Sequence, residues 1–197
     1  MSMPQALPKV ATRAKAPEVR KSPPLSLLAR PGETGIRTRK VALLVADGVD
    51  GEVVSRIQAQ LLAAGAVPRI VAPRIGMVAT TQGVSLDADA SFENSPGVLF
   101  DAVVLPDGEE AVKQLALNGQ AIEFVQLQYR HCKTLLALGS SASLLEAAGV
   151  FEMLPEGTRD PGVLLGATKD LGSLLVRFIE AAGGHRHVAR DRDPPLI

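Results

Sequence analysis

The chain has 197 residues, 46% of them apolar, which is enough for one well-buried domain and an appendage. Its formal charge is zero and its aromatic residues are five Phe, one Tyr and no Trp, so it lacks an overall field for nucleic acid or anionic membrane and has little with which to stack bases or sugars. A single cysteine excludes an internal disulfide and a CxxC or zinc-ribbon site, and no apolar run reaches the roughly 18 residues of a membrane helix.

Residues 1–39 are rich in Pro, Ala and basic side chains, with eight Lys and Arg against Glu18 and Glu33. Their charges are dispersed and no aromatics interleave them, so a linker or an arm laid on a partner is favoured over a nucleic-acid arm. The run "PPLSLLA", Pro23 to Ala29, offers a docking point, with Leu25, Leu27 and Leu28 open to self-association. No secretory signal core precedes it, and a soluble, cytoplasmic protein is the expectation.

From Lys40 the pattern changes. "KVALLVAD" reads as a buried parallel strand, and "GEVVSRIQAQLLAAGA" as a helix with Val53, Val54, Ile57, Leu61 and Leu62 at helical spacing and Gly65 as its stop. "VPRIVAP" is a second strand, and "MVATTQGVSLDADASF" a hairpin excursion around Gly83. "FDAVVLPDG" is a third strand; "EEAVKQLAL" and "GQAIEFVQLQYRHC" are helical. "KTLLALGSSASLLEAAGV", Lys133 to Val150, is strand, small-residue turn and helix, "DLGSLLVRFIEAA" an amphipathic helix and "GGHRHVARDRDPPLI" a polar tail. The alternation predicts an α/β, flavodoxin-like doubly wound sheet, mainly parallel, with helices on both faces as a three-layer sandwich. The domain is expected over 40–190, with 1–39 as linker or arm and 191–197 as tail.

In such sheets ligands bind at the C-terminal ends of the strands, which directs attention to Asp47–Asp50, Asp107–Glu110 and Gly139–Ser141. Asp47, Asp50 and Glu52 would repel phosphate around Gly48 and Gly51, and Asp50 is a sound helix N-cap. Gly139-Ser140-Ser141-Ala142-Ser143 resembles a G-x-S-x-G nucleophile elbow but lacks the second glycine. Of the three histidines, His131 falls at the wrong end of the strand, and His185 and His187 fall in the tail with no acid to place them; Ser140 and Ser141 read as helix caps. The "HRH" pair has only Asp191 and Asp193 as further metal ligands, and Asp50 with Asp107 as a glycosidase pair lacks aromatic faces. No metal site is expected.

"KVALLVADGVDGEVV", "FDAVVLPDGEEA" and "KTLLALGSSASLLEAAGV" together resemble the PfpI-like branch of the class I glutamine-amidotransferase-like superfamily, over roughly residues 40 to 183. That family carries an acid after the first strand, a D-A-x-x-x-P-G-G turn and an A-x-C-H/A-G-P elbow. The resemblance places the acid at Asp50, the turn's two glycines at Asp107 and Gly108, the nucleophilic cysteine at Gly139, the residue after it at Ser140, and the elbow's Gly-Pro at Ser141-Ala142. Glycine supplies no thiolate, and Cys132, seven residues earlier, belongs to the other end of the strand. These positions are therefore expected to be vestigial, with no catalytic residue.

More narrowly, "SPPLSLLARPGETGIRTRKVALLVADGVDG", Ser22 to Gly51, resembles the linker and first strand of the C-terminal domain of large-subunit haem catalases, and the chain reads as a domain excised from one. The resemblance implies a parent that disproportionates hydrogen peroxide on haem, in oxidative-stress defence. It implies no cofactor in this chain, whose lone Tyr129 is explained by helical spacing. The implied partners are the catalase core and neighbouring subunits of a homotetramer, with self-association or chaperone-like binding of unfolded clients when isolated, and neither nucleic acid nor membrane. The implied role is accessory: stabilising subunit and tetramer and shaping peroxide access. The competing readings are a stand-alone hydrolase or deglycase using Ser140 or Ser141 with Asp50, and a small-molecule binding module at Asp50, Asp107 and Gly139.

Overall fold

The computed structural model describes residues 18–19, 22–25 and 35–192. The chain divides into two units, Met1–Thr34 and Gly35–Ile197. In the first, Pro23–Leu25 form one 3-10 turn, closed by the Leu25 N–H on the Ser22 carbonyl. Residues 1–17, 20–21 and 26–34 of the basic arm, Leu27 and Leu28 among them, lie outside the described residues, as do Asp193 and the end of the tail.

The second unit contains a six-stranded sheet in the order β5-β2-β1-β6-β7-β8, with every neighbouring pair parallel. Its strands are β1 (Lys40–Leu44), β2 (Val67–Ala72), β5 (Ala90–Ser91), β6 (Ala102–Leu105), β7 (Thr134–Leu138) and β8 (Val163–Gly166). The excursion is the antiparallel hairpin β3 (Gly76–Ala79) and β4 (Ser85–Ala88). The apolar runs make this order: Val41 to Ala46, Ala102 to Leu105 and Leu135 to Leu138 are all at most 2% exposed, as strands covered on both faces must be. Among the described residues five helices cover them: α1 (Gly51–Ala63), α2 (Glu109–Ala116), α3 (Gly119–Arg130), α4 (Ala142–Ala147) and α5 (Leu171–Gly183). α1 touches α5, while α2, α3 and α4 touch one another, giving the expected three layers.

Local chemistry sets the helix ends. Asp50 caps α1, its Oδ1 accepting from the Val53 N–H at 3.1 Å, and Gly65 stops it at φ +79°. Val53, Val54, Ile57 and Leu61 are buried, but Leu62, expected with them, is 61% exposed. Asn118 caps α3 through two backbone N–H groups. β8 falls outside the sequence reading because "VLLG" is too short to show a period between the turn "RDPG" and the helix beginning "DLGS".

Candidate functional site

β1, β6 and β7 are adjacent and parallel, so the loops after them meet at one edge, around the reversal of strand order between β1 and β6. The first loop carries Asp47 and Asp50. Asp47 Oδ1 accepts from the Ala79 N–H at 2.8 Å, so it ties the hairpin to the sheet edge. Asp50 is held by Val53 and by Gln82, whose Nε2 donates to its Oδ1 at 2.9 Å while the Gln82 Oε1 accepts from the Gly51 N–H at 2.9 Å. The Asp50 N–H donates to the Asp107 carbonyl at 3.0 Å. Gly108 is required here: its φ is +145°, and a Cβ on it would lie 2.6 Å from the Gly48 carbonyl oxygen and 2.8 Å from the Val49 Cα.

Asp107 is the centre of the edge. Its Oδ1 accepts from the Gly108 N–H at 2.8 Å, the Ser140 N–H at 3.0 Å and the Ser140 hydroxyl at 2.7 Å, and its Oδ2 from the Thr168 hydroxyl at 2.6 Å. Partial burial favours the neutral acid, but the bonds from Thr168, Ser140 and Gly108 outweigh it and hold the carboxyl below its usual range. Gly139 adopts φ +54°, the left-handed conformation of a strand-to-helix elbow, and a Cβ built on it would overlap this carboxylate, at 2.6 Å from Oδ1 with Oδ2 and Cγ nearer still. The carboxylate of residue 107 therefore occupies the space of any side chain at 139.

The serines do not cap α4. No α4 backbone N–H bonds to either side chain; Ser140 donates to Asp107, and the buried Ser141 donates to the Pro106 carbonyl. The capping expectation fails because both hydroxyls find acceptors on the neighbouring β6 loop, a non-local choice that spacing does not record. Ser140 is poorly set up as a nucleophile, since its hydroxyl faces a carboxylate whose proton affinity is lowered, a weaker base than an ordinary carboxylate. His187 bonds at 2.9 Å to Thr134, at the opposite end of β7, and His131 is the C-cap residue of α3, so neither joins the serines. Asp50, Asp107, Gly108 and Ser140 are linked by hydrogen bonds at this edge, and Gly139 borders them. Thr168 and Gln82 were missed: Thr168 follows the unrecognised β8, and nothing in a hairpin turn marks Gln82.

The segment read as a polar tail is anchored at the other edge. Residues Val188–Arg192 form a 3-10 turn, and Arg190 is 2% exposed. Its guanidinium donates to Asp160 through Nε at 2.5 Å and Nη2 at 3.0 Å and to the Lys133 carbonyl through Nη1, and its Cζ lies 4.5 Å from the Tyr129 ring centroid. His187 therefore has a placed environment, and burial, followed by the nearby Arg190 charge, lowers its pKa to about 4 against an opposing pull from Asp160. Tyr129 is buried beneath the guanidinium and does not fit a haem ligand. Among the described residues no three His, Cys, Asp or Glu are grouped to hold a metal ion, and no helix is long and apolar enough to cross a membrane.

The profile of the C-terminal domain found in long catalases matches residues 37–192. Catalase HPII of Pseudomonas putida is 34% identical over 180 residues, covering 91% of this chain and 24% of that protein. Catalase C of Rhizobium meliloti is 35% identical over 156 residues, 78% of this chain and 22% of the relative. The chain thus spans about a quarter of the length of these curated relatives. Among solved structures, a DJ-1 superfamily protein from Salmonella typhimurium superposes with TM-score 0.67 at 22% identity, over 79% of this chain and 96% of that one. A two-domain protein from Anabaena variabilis, with DJ-1/ThiJ/PfpI-like and ferritin-like domains, gives TM-score 0.65 at 20% identity over 74% and 48%. These structures share the fold, as the PfpI-like resemblance implied.

Proposed function

The chain belongs to the family of C-terminal domains found in long catalases, and on that premise we propose that it is the accessory, non-catalytic domain of a large-subunit haem catalase. In this reading the parent disproportionates hydrogen peroxide to water and oxygen on haem in a separate core, in the cytoplasm. This chain contributes the 40–190 domain and, in residues 1–39, the arm that crosses from that core. Its work is mechanical: it stabilises subunit and tetramer, and it borders the route by which peroxide reaches the buried haem. The observation that carries the non-catalytic assignment is the Asp107 carboxylate lying where a side chain at Gly139 would stand. Four hydrogen bonds hold it there, and a nucleophile at position 139 has no room.

The test has two arms. The purified chain should give no peroxide turnover and no ester, amide or aldehyde hydrolysis; turnover abolished by Ser140→Ala with folding intact overturns the assignment. The reading frame upstream of Met1 should encode a haem catalase core, and the assembled enzyme truncated before Lys40 should lose activity on heating at a lower temperature than the full enzyme. Equal thermal inactivation and an unchanged tetramer would count against the stabilising role. The chaperone-like component is checked by light scattering of a heated client protein with the domain added.

A further inference from the structure

The groups around Asp107 form a set with one chemical character. The Gly108 and Ser140 N–H groups and the Ser140 and Thr168 hydroxyls come from the loops after β6, β7 and β8, and all four point a proton at one spot. Three of the donors meet on Oδ1 and the Thr168 hydroxyl on Oδ2, so a single carboxylate, an acceptor at both oxygens, takes all four, with the Gly108 N–H also 3.4 Å from the Ser140 Oγ. Gly139, without a Cβ, leaves the space in which that carboxylate lies. From this geometry we propose that the C-terminal edge is a cradle for a small carboxylate anion, occupied in cis by the side chain of Asp107.

The donors are fixed by neighbours and do not depend on Asp107 alone. Ser140 stands between the β7 strand end and α4, Gly108 is pinned by close approach to Gly48 and Val49, and Thr168 opens the turn leading into α5. Removing the occupant would leave two amide and two hydroxyl donors converging on a gap bounded by Gly139. Asp50, Glu109 and Glu110 lie at the starts of α1 and α2, and their charges select a small monoanion over phosphate. In the wild-type chain the site is filled intramolecularly, at an effective concentration that a free small anion does not match. The edge is thereby closed to outside carboxylates. The proposal rests on this geometry and not on the parent enzyme, so its failure leaves the catalase assignment untouched.

The test is replacement of the side chain by a free anion. Thermal unfolding of the full chain is measured for wild type, Asp107→Gly and Asp107→Asn in sodium formate and in sodium chloride of equal ionic strength. Formate should raise the Tm of Asp107→Gly saturably, by about 2–4 °C, and shift the Gly108 and Ser140 amide resonances. It should leave wild type and Asp107→Asn unmoved, because their cradles are full, and phosphate should not replace it. The same formate response in all three proteins, or none in Asp107→Gly, overturns the proposal. Where Asp107→Gly does not fold in chloride, recovery of folded chain by formate is the supporting result. Failure of formate to restore either that variant or Asp107→Ala is the contrary one.

Discussion

The exchange of sizes between residues 107 and 139 decides what the edge can do. A cysteine at 139 would combine a left-handed backbone with overlap on a carboxylate that four bonds hold in place. Gly139→Cys should therefore destabilise the chain by about 2–4 kcal/mol in urea unfolding, from overpacking and conformational strain together. Adding Asp107→Gly should relieve the overlap and recover part of the loss, and a thiol titration should then find a reactive sulfur at 139 while the buried Cys132 stays silent. Part of this was legible in the sequence. Asp50 as a cap follows from its place before a helix, and Gly139 at the elbow from the strand-turn-helix pattern. The use of Ser140 and Ser141 was not, because their acceptors lie over thirty residues away, on another strand's loop.

At the scale of elements, the last segment is held to the sheet by a buried ion pair. Arg190 and Asp160 are 2% and 1% exposed, and the Asp160 carboxylate also accepts from the Gly162 N–H at 2.8 Å. Arg190→Met should cost about 3–5 kcal/mol by stranding a buried carboxylate, and Asp160→Asn on top of it should return much of that loss, as read by denaturant unfolding. His187 adds a pH term. Thr134 Oγ1, Arg190 and Asp160 face its ring, and a Cβ on Gly162 would overlap it. Its folded pKa, about 4, lies below the ordinary 6.5, so on acidification the unfolded chain takes the proton first. Stability from this group is full above pH 6.5 and is lost between there and pH 4. The Tm should fall more for wild type than for His187→Gln between pH 7 and pH 4.5. Sequence pattern hid this anchor: "GGHRHVARDR" has no apolar period, and its fixed position comes from one guanidinium entering the core.

At the scale of the molecule, continuous apolar strands and capped helices made the layered fold readable from composition and spacing alone. The sheet is closed at both ends by polar clamps: Asp107 joins the loops of β6, β7 and β8 at one edge, and Arg190 joins the start of β7 to the β8 approach at the other. Two clefts border the sheet end on either side of the hairpin, one between it and α1 and one beside Ile75 and Met77, each about 440 Å³.

The overlap of residues 107 and 139 also has a historical consequence. A chain with cysteine at 139 that acquired aspartate at 107 would superimpose two side chains. Losing the cysteine first leaves only an empty, tolerable gap. Aspartate at 107 and a side chain at 139 therefore exclude one another, and an exchange between the two has to pass through glycine at both positions. An alignment of long-catalase domains should contain glycine at both positions in some lineages and aspartate with cysteine in none. An abundant Asp–Cys class would refute that exclusion.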